Sequence, residues 1–309
     1  MKQKQKIAVA VAGGGDKTYV FAGILHYLQQ KYDIVEISTI SGSSYTVPLA
    51  LSRGTLNSVA ASFQKLNILD FAKILKPEEV LEKRGVMEID PRFFRYIESL
   101  TGIKNGRTST PKFTPYAVDI SNPEGYRTVD TSRMPFGVGV AASIALPFLF
   151  APIRHGNLEL VDGGIGGNVN LGIFKKYAKI PKVVLMHTSA QGPAMIKTLL
   201  AGIRYMKVPF STVTSLHKLI KNEPKLFDAC KRAPNINLTN YNANFIFNLH
   251  NVSEGLLLSE SAKKKLLVEG YMMADHIYST MDYFIRTGLW KKLENENVID
   301  LNFDKFRIN

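Results

Sequence analysis

Twice near its start, the chain runs from an apolar β-type stretch straight into small residues and then into a helical pattern. Ile7–Ala12, rich in valine and alanine, meets Gly13–Gly14–Gly15. Lys17–Lys31 follows with apolar residues at Val20, Phe21, Ile24, Leu25 and Leu28. Ile34–Ile40 meets Ser41–Gly42–Ser43–Ser44, and a helix is expected from there to Leu51. A short apolar run bounded by glycine reads as a buried strand, and the helical spacing after it as an apolar helix face. Strand, tight turn and helix in alternation predict an α/β fold with a largely parallel sheet.

The alternation continues with interruptions. Thr55–Leu66 is a second helical pattern, and residues 68–100 read as mostly helical. Thr101–Lys112 is a loop rich in Gly, Thr and Ser. Phe113–Ile120, Tyr126–Val129, Leu158–Val161 and Lys182–Thr188 are expected strands, and Phe136–Ala145 is a short helix stopped before Pro147. Beyond Ser189 the chain changes character. Ile196, Leu199, Leu200, Ile203 and Met206 share one helical face, and eight Lys/Arg stand against two Asp/Glu between Ser189 and Ala233. That stripe suits either an anionic membrane surface or packing onto the core as a cap, and the cap is the favoured reading. Ser259–Ile285 is a long amphipathic helix with Ser259 as N-cap. One domain is expected over 6–285, with a basic, helical, cap-like segment at about 190–258, followed by a C-terminal tail over 286–309.

The formal net charge of +13 favours anionic partners such as phospholipid surfaces, nucleic acid or acidic substrates. Nucleic acid is not expected as a partner, because no recognition motif or ordered aromatic platform accompanies the charge. The single cysteine, Cys230, rules out an intrachain disulfide and any metal site built on several cysteines. The N-terminus has a basic start and an Ala-x-Ala-like end, but its apolar stretch, Ile7–Ala12, is shorter than a signal core of about 7–15 residues. No stretch approaches the roughly 20 apolar residues of a membrane span. A cytoplasmic protein, peripheral at membranes, is the expectation, with export without a cleaved signal left open.

Three turns carry chemistry. A serine hydroxyl needs a base to become a nucleophile, and donors for the oxyanion formed in acyl transfer. Gly42-x-Ser44 places a serine two residues after glycine on a strand-to-helix turn, which selects Ser44 over Ser41 and Ser43. Gly13–Gly15 leave backbone N–H groups accessible in a concave turn suited to an anion. A phosphate loop ending at Lys17–Thr18 would need glycines where Val11 and Asp16 stand, so an oxyanion hole fits better. Asp162 closes a strand before Gly163–Gly164; it can cap that turn or serve Ser44 as base.

The order of these turns resembles the patatin-like phospholipase family. AASIALPFLFAPI (141–153) looks like the family's Ala-Ser-x-Ala-x-Pro segment, GNLELVDGGIGGN (156–168) like its Asp-Gly-Gly-x-x-x-Asn region, and LLVEGYMMADHI (266–277) like its closing helix. The resemblance runs from about Lys6 to about Ile285. It implies a three-layer α/β/α fold with a mostly parallel central sheet, and hydrolysis of the acyl esters of phospholipids and related lipids through a Ser–Asp dyad. It implies Ser44 as nucleophile and Asp162 as base. Gly13, Gly14 and Gly15 would form the oxyanion hole, with Lys17 as the motif's basic residue. Neither metal nor other cofactor is implied. Thr18, Thr46 and Asn170 stand where the pattern has Gly, Gly and Pro, and Pro48 falls inside the expected helix. Two other readings compete. A Ser-His-Asp esterase would draw its histidine from His187, His217, His250 or His276. A catalytically weak or inactive lipid-binding module would use the basic segment alone.

Overall fold

The computed structural model describes residues 3–307 apart from 65, 123–124, 168, 188–193, 233–242, 253–257 and 294–297. β1 (Lys6–Val11) passes through a single turn of 3-10 helix (Gly15–Thr18) into α1 (Tyr19–Lys31), and β2 (Asp33–Ile40) into α2 (Ser43–Leu51) and α3 (Leu56–Gln64). There follow β3 (Ala72–Ile74), α4 (Glu79–Lys83), β4 (Gly85–Ile89), α5 (Arg92–Thr101), β5 (Lys112–Asp119) and β6 (Arg127–Asp130). Next come α6 (Phe136–Ile144), β7 (Phe148–Phe150), β8 (Ile153–His155), β9 (Leu158–Asp162) and β10 (Lys182–His187). The chain closes with α7 (Ala194–Tyr205), α8 (Phe210–Asn222), α9 (Pro224–Arg232), β11 (Phe245–His250), α10 (Glu260–Arg286) and β12 (Val298–Asn302).

The main sheet has the order β12-β11-β10-β1-β2-β5-β9-β8, with β6 also paired to β5. From β12 to β5 every pairing is parallel; β6 and β9 run antiparallel to β5, and β8 antiparallel to β9. Ile7–Val11 are fully buried, as a parallel strand covered on both faces requires. This is the expected α/β architecture with a mostly parallel central sheet. α1 packs along α10, and both meet the α2–α3 pair. The N-terminus of α10 is capped as expected, with Ser259 Oγ accepting from the Ala262 N–H at 3.3 Å. No helix among the described residues is long and apolar enough to cross a membrane.

Three expectations need correction. Residues 68–100 are not helical throughout: β3 and β4 interrupt the helices there and join β7 in a separate three-stranded sheet. The basic stretch is helical only through α9 among the described residues, since Phe245–His250 form β11 of the main sheet. The supposed tail contributes β12, paired with β11 from Ile246↔Val298 to His250↔Asn302. The stripe of α7 is divided: Leu199 is buried, Ile203 and Met206 are half-buried, and Leu200 faces outward. The side chain of Ile196 lies outside the described residues.

One side chain ties the small sheet, the main sheet and the helical segment together. Arg84, at φ 59° just after α4, pairs through Nη1 with Glu159 Oε2 of β9 at 2.6 Å and through Nε with Glu223 Oε1 at 2.9 Å. Glu223 is the junction between α8 and α9. All three side chains are largely shielded from water, where an ion pair is worth more than on an open surface.

Candidate active site

The register of the main sheet explains why distant residues meet. Ile40, the last residue of β2, lies beside Tyr116 of β5, and Ala117 of β5 lies beside Asp162, the last residue of β9. Ser41 is the first residue after β2. It has φ 54°, the left-handed region, and α2 starts two residues on. That conformation at a sharp strand-to-helix turn directs the side chain away from the strand. The Ser41 hydroxyl donates to Asp162 Oδ2 at 2.8 Å.

Ser44 does not reach the carboxylate. It sits inside the first turn of α2, fully buried, with Oγ 2.8 Å from Ser143 Oγ of α6. Ser143 donates to the Tyr116 carbonyl at 2.6 Å and accepts the Ser41 N–H at 3.1 Å, so its remaining bond is a donation received from Ser44. The Ser44 N–H donates to the Ser41 carbonyl at 2.9 Å. Ser44 thus braces the turn from beneath, while Ser41 is only half-buried and can be approached. Ser43 clips the same turn: its hydroxyl donates to the Ile40 carbonyl at 2.8 Å and accepts the Ile40 N–H at 3.0 Å. The serine that meets Asp162 is therefore three residues before the expected one. A cue was present in the sequence, since Ser41 is the residue that directly ends the apolar run.

Asp162 is 3 % exposed and has its second oxygen, Oδ1, bonded to the Gly164 N–H at 2.8 Å. It is both a cap for the turn after β9 and a partner for serine. Burial pushes its carboxyl up to about 6, against the opposing pull of the Gly164 and Ser41 hydrogen bonds. A carboxylate so placed can take a proton from Ser41 near neutral pH.

The glycine turn lies against the serine turn. A Cβ on Gly42 would stand 3.0 Å from Gly15 Cα and run into the Gly15 carbonyl, so only glycine permits the contact. Gly14 has φ 149°, and a Cβ there would run into the His187 ring. His187 Nε2 donates to the Gly13 carbonyl at 2.8 Å, and the ring stacks on Phe21. The N–H groups of Gly13, Gly14 and Gly15 donate to no acceptor among the described residues. Lys17 is half-buried in the same turn, its N–H on the Gly14 carbonyl at 3.2 Å.

Thr18 and Thr46, the two departures from the expected glycines, meet one another. Thr46 Oγ1 donates toward both Thr18 Oγ1 and the Gly42 carbonyl, each at 3.1 Å, and Thr18 Oγ1 donates to the Gly15 carbonyl at 2.7 Å. α2 continues through Pro48 to Leu51. Asn170 keeps a structural part, with its carbonyl accepting from Ser38 Oγ at 2.6 Å and Oδ1 accepting the Gly172 N–H at 2.8 Å. Asn168 lies outside the described residues. Asp16, which motif reasoning passed over, is buried beside the turn. It accepts from Tyr45 Oη at 3.3 Å and from the Leu258 N–H at 2.8 Å, and Lys263 Nζ of α10 is 3.8 Å away. It fastens the glycine turn to the C-terminal helix.

None of the hydrogen bonds of Ser41, Ser44 or Asp162 among the described residues goes to a histidine. His187 holds Gly13, and His250 pairs with Asp300 at 2.6 Å. Near the carboxylate, α9 contributes Cys230, whose buried thiol is pushed up to about 12 by desolvation and by the charge of Asp162.

Comparison with known proteins bears on this geometry. The family model described as patatin-like phospholipase matches residues 45–175, which takes in Asp162 and begins after both serines. Uncharacterized NTE family proteins of Mycobacterium tuberculosis and Mycobacterium bovis are 23% identical over 225 residues, covering 72% of this chain. The chain spans 58% of the length of those relatives. Among solved structures, VipD from Legionella pneumophila aligns with 90% of this chain and 67% of its own at 13% identity and a TM-score of 0.41. A chain of the heterodimeric ExoU–SpcU complex of the Pseudomonas aeruginosa type III secretion system aligns with 74% of this chain and 52% of its own, at 14% identity and a TM-score of 0.29. The turns keep the expected order on a mostly parallel α/β sheet, and residues 45–175 are similar to the patatin-like phospholipase family.

Proposed function

We propose that the protein is a lipid acyl hydrolase in which Ser41 is the nucleophile and Asp162 the base. The observation that carries this is the 2.8 Å donation from Ser41 Oγ to Asp162 Oδ2, made by a serine in the left-handed region at a strand-to-helix turn. Asp162 takes the hydroxyl proton as Ser41 Oγ bonds to the ester carbonyl carbon. The negative charge that develops on the carbonyl oxygen is met by the N–H groups of Gly14 and Gly15 and by the N-terminal end of α2. The oxyanion collapses, the bond to the leaving alcohol breaks, and Asp162 returns its proton to that oxygen. Water then attacks the acyl-serine, giving its proton to Asp162, and the second collapse releases the fatty acid and restores Ser41. The balance is complete without metal or cofactor.

An anionic lipid surface suits this reaction. Leu200, Tyr205 and Phe210 are 49%, 55% and 86% exposed at the α7–α8 corner, and the surrounding segment is basic. Apolar side chains beside cationic ones are what an interfacial helix presents to a membrane.

A fluorophosphonate probe tests the assignment. The wild type and Ser44→Ala should label, and Ser41→Ala should not. Labelling that survives in Ser41→Ala and disappears in a folded Ser44→Ala would overturn the choice of serine.

A further inference from the structure

At the opposite end of the sheet from the serine lies a cavity of about 440 Å3 lined by Ala178, Lys179, Lys182, Asn244, Trp290, Lys291 and Leu293. Lys182 is the first residue of β10, and His187, which touches the glycine turn, is the last. At about 3.3 Å per residue the strand separates the two by about 16 Å. The cavity is therefore distinct from the acyl-transfer site.

Its wall is built by one asparagine. Asn244 Oδ1 accepts the Lys182 N–H at 3.0 Å, Nδ2 donates to the carbonyls of Trp290 and Leu293 at 3.1 and 3.3 Å, and its own N–H reaches the Lys182 carbonyl at 2.9 Å. Lys182 is 8% exposed, yet its ammonium has no hydrogen bond or ion pair among the described residues. Burial alone lowers its pKa, with no carboxylate opposing the shift. A partly desolvated cation without a counter-charge among the described residues is costly to maintain. Two further lysines with no carboxylate partner among the described residues, Lys179 and Lys291, flank it, and among the described residues no acidic side chain lines the cavity.

The geometry points to a binding site for a phosphate-bearing ligand, with the phosphate on Lys182 between Lys179 and Lys291 and the rest of the molecule against Trp290. Phosphate monoesters carry about −1.5 to −2 charges at neutral pH and several strong acceptor oxygens, which suits three ammonium groups better than a single carboxylate does. The volume exceeds that of bare phosphate and falls within the ordinary range of small-ligand pockets, about 300–1,000 Å3.

Trp290 is the only tryptophan of the chain, so its fluorescence reports on this wall alone. Titration with inorganic phosphate or glycerol 3-phosphate at constant ionic strength should give a saturable change in the wild type. Vesicles of phosphatidylcholine with and without phosphatidic acid form the second arm. Saturation by the soluble phosphates identifies a soluble ligand, and saturation only by phosphatidic acid identifies a lipid headgroup. In either case Lys182→Met should weaken binding at least tenfold while raising the thermal midpoint, because it removes an unpaired buried charge. Lys179→Ala/Lys291→Ala, which alters more exposed positions, should weaken binding several-fold and guards against misfolding of the first variant. No saturable response to any phosphate, a response equalled by chloride, or unchanged affinity in both variants overturns the site.

Discussion

Burial at Asp162 acts on both rate and stability. The carboxyl is raised from 3.8 to about 6 chiefly by desolvation, so Asp162, the base proposed for Ser41, loses its basic form as pH falls through about 6. Ester hydrolysis by the wild type should fall to half its plateau near that pH. Stability runs the other way. The folded state holds this proton more tightly than the unfolded chain, so the contribution of Asp162 to stability is greatest at acid pH, declines from about pH 4 to about pH 6, and is level above. At about 1.4 kcal/mol per tenfold change in proton affinity, ionised Asp162 costs the fold about 3 kcal/mol at pH 8. Asp162→Asn should abolish hydrolysis yet raise the unfolding free energy at pH 8, with the gain shrinking toward pH 4. Denaturant unfolding at both pH values measures this, and an Asn variant weaker than wild type at pH 8 refutes it. The exchange of Ser41 for Ser44 in the sequence reading has a residue-scale cause. A Gly-x-Ser pattern assumes that glycine precedes the serine by two, whereas here glycine follows it and the serine itself adopts the left-handed conformation. Glycine is the usual mark of a positive φ, and here the glycine stands next to the serine that takes it.

The glycine turn and the serine turn of the candidate site are joined by hydroxyls. Thr46 sits in the first half of α2 and Thr18 at the end of the 3-10 turn, and the chain Thr46 to Thr18 to the Gly15 carbonyl ties one turn to the other. Glycine in both positions would let the turns approach but would supply no such bond. Thr46→Val should lose about 1 kcal/mol of stability, the worth of one buried hydrogen bond. It should also lower kcat by about tenfold through displacement of the glycine turn, with KM little changed. Steady-state kinetics on a soluble ester, together with a double-mutant cycle with Thr18→Val, checks both; additive effects would show that the pair is not coupled. Motif comparison marked these residues as departures because it compares positions one at a time, and the compensation is visible only when both are placed in space. β1, β2 and β5, which form the middle of the main sheet, were legible because each has at least six residues and a mostly buried run. β3, β4 and β7, with three, five and three residues, are too short to impose a period and belong to a small sheet of their own.

Across the molecule, the basic helical segment has two faces with different duties. Leu216, Leu219 and Leu226 are buried, and Arg84 fastens Glu223 to Glu159 on the strand that delivers Asp162. The outer corner instead shows Phe210 and Tyr205 to solvent. Burying one phenylalanine in lipid contributes about 2 kcal/mol, which corresponds to about thirtyfold in partitioning. Phe210→Glu should lower turnover on anionic vesicles by about that factor and leave hydrolysis of a soluble short-chain ester unchanged; equal loss on both substrates would place Phe210 in the fold rather than at the surface contact. The α/β class was legible at this scale from the first two strand–turn–helix units. The closing strand was not, because Val298–Asn302 buries only Leu301 and carries Asp300 and Asn302 on its open side.

That unassuming strand also governs how the protein behaves in a crowded solution. Four of the six residues of β11 are apolar and buried, and β12 is what covers its free row of backbone donors and acceptors. Stripping β12 would turn a shielded strand into an adhesive rim able to pair with any extended chain. A version ending before Val298 should emerge from size-exclusion chromatography as high-mass aggregate, whereas the full chain elutes as a discrete species. The last strand thus works as a solubility guard, its Asp300 and Asn302 presenting a polar margin where the sheet would otherwise keep growing.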